Sequence, residues 1–214
     1  MNGILGFGSI LAELELSTEE KQEYIDLMRS SSDRLVNTIT NYVDIALIVS
    51  ENVDLNYTDV HVIELINDLK NDYSKLCEAK NLSFELLLPE NLKEFAIYTD
   101  LALLRKIMSH LLDNAIKFTK EGFISIGFSV KPSKIEFFIK DTGIGIEKEA
   151  QERIFEYFMQ ENVSTTRDFE GNELGLSITK GFLKILGGDI HLESIKDKGT
   201  TFFFSLPIRA GDTK

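Results

Sequence analysis

The sequence predicts an α+β chain in which a helical hairpin precedes a mixed domain of helices and strands. Three observations carry that expectation. Ile25, Met28, Ser32, Leu35, Ile39, Tyr42, Ala46 and Val49 keep a 3-4 spacing, the seam of a coiled-coil or bundle helix. Leu104, Ile107, Met108, Leu111, Leu112, Ala115 and Ile116 cover one wide face of a single long helix. Ile135, Phe137 and Ile139 alternate with Glu136 and Lys140 and stop at Asp141-Thr142-Gly143-Ile144-Gly145-Ile146. A strand with one buried face therefore delivers a carboxylate and two glycines to the mouth of a core.

In chain order, Ile4, Leu5, Leu11 and Leu14 make a short apolar stripe on a first helix, and Ser17 or Thr18 caps a second, with Glu19 and Glu20 in its first turn. Two helices bury little on their own, so a second copy is the natural partner and a four-helix bundle the product. Residues 1–57 form this hairpin, and 58–214 the mixed domain. The latter opens with a helix over 62–79 (Ile63, Ile66, Leu69, Tyr73, Leu76), a strand over 82–88 ending at Pro89, and a short strand at Ile97-Tyr98. Asp100 caps the long helix 101–118, which Gly122 ends. Strands 123–130 and 134–140 join around Pro132-Ser133. Residues 146–160 read as helical in parts, 176–186 as a helix, and 189–194 with 200–206 as a last hairpin.

Composition narrows the function classes. The 214 residues are 43% apolar and 27% charged, ordinary for a globular protein with a real core. A net charge of −12 and the lack of any basic cluster argue against nucleic acid as a partner. Of that charge, residues 1–57 supply −7, from ten acids against three bases. Apolar runs such as Ala46-Leu47-Ile48-Val49 fall short of the roughly 18 residues a membrane span needs, and no signal-peptide pattern is present, so no direct membrane contact is expected. The single cysteine, Cys77, excludes an internal disulfide and suits a reducing cytoplasm.

The chemistry-bearing residues sit at four places. A carboxylate at the edge of a core, Asp141, is costly to bury unless something donates hydrogen bonds to it, and the exocyclic amine of a purine is such a donor. Gly143 and Gly145 let the chain take unusual backbone angles and let a flat ligand approach. On the long helix, Asn114 and Lys117 lie three residues apart on one face. An Asn oxygen suits Mg²⁺, which takes a few protein oxygens together with phosphates, and Lys117 neutralises a phosphate. Downstream stand Ile154-Phe155-Glu156-Tyr157-Phe158-Met159-Gln160 and Gly171-Asn172-Glu173-Leu174-Gly175-Leu176-Ser177-Ile178. Asp-Thr-Gly is also an aspartic-protease signature, but that fold needs an all-β chain with paired copies, and one copy lies here between helical segments.

In this order the four stretches resemble the N box (Asn114 to Thr119), first glycine box (Asp141 to Ile146), F box and second glycine box of sensor histidine kinases. That catalytic domain belongs to the superfamily shared with DNA gyrase, the Hsp90 chaperones and MutL. The resemblance covers essentially the whole chain, since Asn2 to Phe7 is similar to the segment just after the phosphoacceptor motif of the dimerisation hairpin. It implies an α/β sandwich with a mixed sheet, the Bergerat-type ATP-binding fold, and a cytoplasmic histidine protein kinase of two-component signalling, including the cytoplasmic part of a membrane-anchored sensor. The implied cofactors are ATP and Mg²⁺. The implied partners are a second copy, through the N-terminal hairpin, and a response regulator receiver domain.

Residue by residue, the resemblance gives Asp141 the adenine amine, with Gly143, Gly145 and Ile146 shaping the loop against the purine. Asn114 would ligate Mg²⁺, Lys117 meet a phosphate, Phe118 flank the base, and the backbone of Leu174, Gly175, Leu176 and Ser177 hold phosphates at a helix N-terminus. Arg167 resembles the arginine of a lid, 161–173, that reaches the terminal phosphate. Two positions depart from the family pattern. His110 stands where these kinases usually carry Asn and the superfamily's ATPases a Glu that activates water, and Glu173 replaces the middle glycine of the second box, adding negative charge where phosphates should sit. An ATPase or nucleotide-sensing module without phosphotransfer is the alternative function. His61 and His191 are expected to be structural, near a helix start and on an edge strand. With His61, His110 and His191 the only histidines, none within 1–57, this chain is expected to bind ATP without phosphorylating itself.

Overall fold

A five-stranded sheet and the helix α4 (Leu101–Phe118) organise the larger part of the molecule in a computed structural model that describes residues 2–13, 16–50, 53–89, 92, 94–155 and 174–208. The chain divides into two units, Met1–Glu51 and Asn52–Lys214.

The first unit is a hairpin of α1 (Asn2–Glu13) and α2 (Thr18–Ser50). Its turn is locked by a capping box. Ser17 Oγ accepts from the Glu20 amide (3.2 Å) while Glu20 Oε2 accepts from the Ser17 amide (2.8 Å), which satisfies two of the donors a helix start leaves open. The short helix packs on the beginning of the long one, with the Phe7 and Tyr24 rings 6.0 Å apart. Farther along α2 the apolar stripe stays exposed at Leu35, Ile39, Tyr42 and Val49.

In the second unit, β1 (Tyr57–His61) pairs antiparallel with β3 (Ala96–Asp100). The large sheet runs β2 (Leu82–Leu87), β4 (Gly122–Lys131), β5 (Lys134–Asp141), β7 (Gly199–Pro207), β6 (Asp189–Ile195). Only β2 and β4 are parallel among these pairs, so the sheet is mixed. Among the described residues, helices α3 (Val62–Ala79), α4 and α5 (Gly175–Ile185) accompany the strands in this unit, and the α+β architecture is the one the sequence predicts. Leu104, Ile107, Met108, Leu111 and Leu112 of α4 are fully buried, as are Ile135 and Phe137 of β5 and Phe182 of α5. Phe137 and Phe204 stack across β5 and β7 at 4.8 Å. Full burial of such side chains contributes roughly 1.5–3 kcal/mol each before conformational entropy is subtracted.

Helix α4 begins and ends where the sequence indicates. Asp100 Oδ1 accepts from the Leu103 amide (3.0 Å) as N-cap, and its other oxygen accepts from the Asn56 amide (2.8 Å), tying the start of this unit to the helix. Three details differ from the sequence reading. Strand β1 is not expected from the sequence, because of its five residues only Val60 is buried. On α3 the inward face is Val62, Leu65, Ile66, Leu69, Tyr73 and Cys77, while Leu76 is exposed and Ile63 half-buried. Residues 147–155, expected to be helical in parts, form a run of turns closed by bonds such as Ala150 N to Glu147 O and Arg153 N to Ala150 O. His61 does stand at the start of α3, and His191 does lie on the edge strand β6, stacked on Phe203. No helix among the described residues is long and apolar enough to cross a membrane.

Candidate functional site

The end of β5 is where the polar chemistry gathers. Asp141 is 6% exposed, closing the buried row Ile135, Phe137, Ile139 on its strand. Its Oδ1 accepts from the Gly143 amide (2.8 Å) and from the Thr200 amide at the start of β7 (3.3 Å). Burial pushes the carboxyl pKa up, and the two backbone donors pull it part of the way back.

Around this carboxylate opens a cleft of about 150 Å³. Asn114 and Phe118 reach it from α4, and Ile144, Gly145, Ile146 and Ile154 from the loop beyond β5. Leu176 of α5 and Thr200 and Phe202 of β7 complete the lining. The walls are thus mostly apolar and aromatic, with one buried acid and a few other polar groups.

The loop that forms one wall is held by long-range backbone contacts. Thr142 pins it to β4: its hydroxyl accepts from the Phe123 amide (3.0 Å), and its own amide donates to Phe123 O (3.2 Å). A Cβ on Gly143 would lie 2.3 Å from the Phe118 carbonyl oxygen. Gly145 has φ +62°, and a Cβ there would lie 2.1 Å from the Ile195 carbonyl oxygen. The sequence reading assigns both glycines to the approach of a flat ligand. The close approach each one permits is to the protein's own backbone, and Gly143 does not adopt a positive φ.

On α4, Asn114 lines the cleft, while Lys117 sets its ammonium 4.8 Å from the centroid of the Phe118 ring. His110, one turn before Asn114, faces α5: its Nδ1 is 3.5 Å from Thr179 Oγ1, and a Cβ on Gly175 would sit 4.0 Å from its ring. Helix α5 points its first turn at the same region, with Leu176 in the lining and Ser177 Oγ donating back to Leu174 O (2.9 Å). The leading amides of a helix have no intrahelical acceptor, and the dipole makes that end positive. Phe155, from the F box, stands edge-on to Phe202 with ring centroids 6.3 Å apart. Arg167, Glu173, the expected lid 161–173 and the F box from Glu156 onward lie outside the described residues. Among the described residues no group of three or more His, Cys, Asp or Glu side chains could hold a metal ion.

Thr200, Phe202 and Ile144 have no task in the sequence reading, yet they line the cleft. The available signal is period-two: Thr200 is the polar member at the end of the buried row Phe202, Phe204, Leu206 on β7.

Residues 99–210 match the family described as histidine kinase-, DNA gyrase B-, and HSP90-like ATPase. The chain is 32% identical over 218 residues to the autoinducer 2 sensor kinase/phosphatase LuxQ of Vibrio vulnificus, covering 99% of this chain and 25% of that protein. It thus spans about a quarter of the length of that curated relative. Among solved structures, full-length ShkA in complex with AMPPNP superposes with a TM-score of 0.79 at 25% identity, covering 99% of this chain and 44% of ShkA. The histidine kinase ThkA in complex with the response regulator protein TrrA shares the fold, with a TM-score of 0.70 at 22% identity over 97% of this chain and 57% of that one.

Proposed function

Because the chain belongs to the histidine kinase-, DNA gyrase B-, and HSP90-like ATPase family, with a histidine-kinase catalytic core, we propose that its cleft binds ATP with Mg²⁺ for phosphorylation of a histidine. The observation that carries this reading is the buried Asp141, whose two backbone donors both fall on Oδ1 within a mostly apolar slot. That leaves Oδ2 to accept from a purine amine, and the walls suit a flat, weakly polar ring. The donor set fits the metal as well: Mg²⁺ favours few protein oxygens plus phosphates, so Asn114 Oδ1 and the nucleotide would hold it together.

In this reading Phe118, Ile144, Gly145 and Ile146 enclose the base. The first-turn amides from Leu174 to Ser177 receive phosphate oxygens at the positive end of α5. Lys117 swings from the Phe118 ring to a phosphate. There it would exchange its place beside the ring for a charge-assisted hydrogen bond to a phosphate oxygen. His110 orients α5 through Thr179 and Gly175, beside the phosphate end, and Arg167 reaches the terminal phosphate as its place in the family motif implies. ATP supplies the phosphoryl group, and the chain supplies orientation and charge neutralisation. The hairpin pairs two copies, and a response regulator receiver domain takes the phosphoryl group onward. A hydrolytic module of the same superfamily would want a carboxylate base at position 110, where His110 stands.

Calorimetric titration with ATP tests the cleft. A hydrogen bond to a charged group contributes roughly 1.5–3 kcal/mol, so Asp141→Ala should weaken ATP about ten- to a hundredfold. Equal affinities in the two proteins would remove Asp141 from the site.

A further inference from the structure

Ser194, on β6, lies outside all four motifs, yet three hydrogen bonds meet at its hydroxyl. Ser194 Oγ accepts from the Ile146 amide (2.8 Å), lies 3.1 Å from the Gly199 carbonyl oxygen to which it donates, and is 2.9 Å from Thr200 Oγ1. Beside it, Gln151 Nε2 donates to Ile146 O (2.9 Å) and to Ser194 O (3.1 Å). Both polar backbone groups of Ile146, a wall of the cleft with no regular secondary structure around it, are therefore held by side chains.

The proton count at Ser194 has a directional consequence. A serine hydroxyl has one proton and two lone pairs. The Ile146 amide occupies one lone pair, and the Gly199 carbonyl, which only accepts, takes the proton. The bond between the two hydroxyls must then be donated by Thr200 into the remaining lone pair of Ser194. With its proton committed there, Thr200 offers the cleft only lone pairs. Thr200 lines the cleft and is 5% exposed, and its amide already binds Asp141. Asp141 and Thr200, neighbours in the lining, then carry acceptors and no free side-chain donor.

We propose that Ser194, supported by Gln151, is a positioning residue for base selectivity: by fixing Thr200 as an acceptor beside Asp141, it favours a purine bearing an exocyclic amine over one bearing a carbonyl oxygen at that edge. The proposal rests on the reading of the cleft as an adenine-nucleotide site. With Ser194→Ala, the Thr200 hydroxyl loses its fixed partner, rotates, and is able to donate to a carbonyl.

Affinities of ATP and ITP, which differ in that amine and carbonyl and in the proton that ITP alone carries on N1, are measured by calorimetry for wild type, Ser194→Ala and Ser194→Thr. Wild type should prefer ATP. Ser194→Ala should reduce the ATP-to-ITP preference roughly three- to tenfold, the worth of one net hydrogen bond, and Ser194→Thr, which keeps the hydroxyl, should restore it. A role confined to holding the loop would weaken both nucleotides by one factor and leave the ratio unchanged; that result overturns the proposal. If wild type binds neither nucleotide, the reading of the cleft fails first and the proposal with it. If Asp141→Ala weakens ATP while Ser194→Ala leaves the ratio intact, the cleft stands and the proposal alone is wrong.

Discussion

The carboxylate of Asp141 is burdened by its burial, and this separates what the residue does for stability from what it does for binding. Its folded pKa is raised above the ordinary Asp value of about 3.9, first by desolvation, against the two backbone hydrogen bonds. Stability arising from the protonated form is therefore fully present below the unfolded pKa and lost as pH rises through the raised folded pKa. Asp141→Asn does not ionise, so in thermal unfolding it should match or exceed the wild type at neutral pH, and the advantage should vanish in acid. The same variant turns an amide NH₂ toward the purine amine and should bind ATP more weakly. In the wild type ATP affinity should fall on acidification through the raised pKa, whereas the Asn variant should show no such step. An Asn variant less stable than wild type at pH 7 would mean that ionised Asp141 is a net stabiliser. Asp141 is legible in the sequence because strand alternation ends on it. What Gly143 and Gly145 do is not, because their contacts, the carbonyls of Phe118 and Ile195, lie 25 and 50 residues away along the chain.

Elements with strong local signals are readable from the sequence, and those whose reason is tertiary are not. Helix α4 carries its own cap, Asp100, and a continuous apolar face, so its limits obey local rules. Strand β1 exists because β3 pairs with it, and one buried residue in five leaves no periodic trace. Residues 147–155 have helical composition, but Gln151 spends its side chain on Ile146 and Ser194, and the backbone follows the loop it closes. Helix α2 makes a prediction of its own. Leu35, Ile39 and Tyr42 are exposed on an unbroken 3-4 seam, an apolar stripe that a second copy would bury. Light scattering at tens of micromolar should show a dimer, and Leu35→Asp, with a charge in mid-seam, should give monomers. A monomeric wild type would contradict the pairing of hairpins.

At the scale of the whole molecule, the four motifs are spread from Asn114 to Ile178, and the fold gathers the described parts of all four about one cleft, with β7 supplying the wall that no motif announced. The acceptor chemistry is a separate matter, because transfer needs an imidazole presented with an acid that orients it and takes its proton. His61, His110 and His191 all lie in the Asn52–Lys214 unit, with His110 packed toward Thr179 and His191 stacked on Phe203. Incubation with γ-labelled ATP should leave this 214-residue chain without acid-labile label; label on it would direct attention to His110.

The central claim, that the cleft around Asp141 is an ATP site, is tested most directly by titrating the ¹⁵N-labelled chain with ATP and Mg²⁺ and following its backbone amides. Saturable shifts should concentrate at Gly143, Gly145, Ile146, Thr200 and the first turn of α5, and Asp141→Ala should require about ten- to a hundredfold more nucleotide to produce them. Shifts that never saturate, or that gather away from these residues, would contradict it.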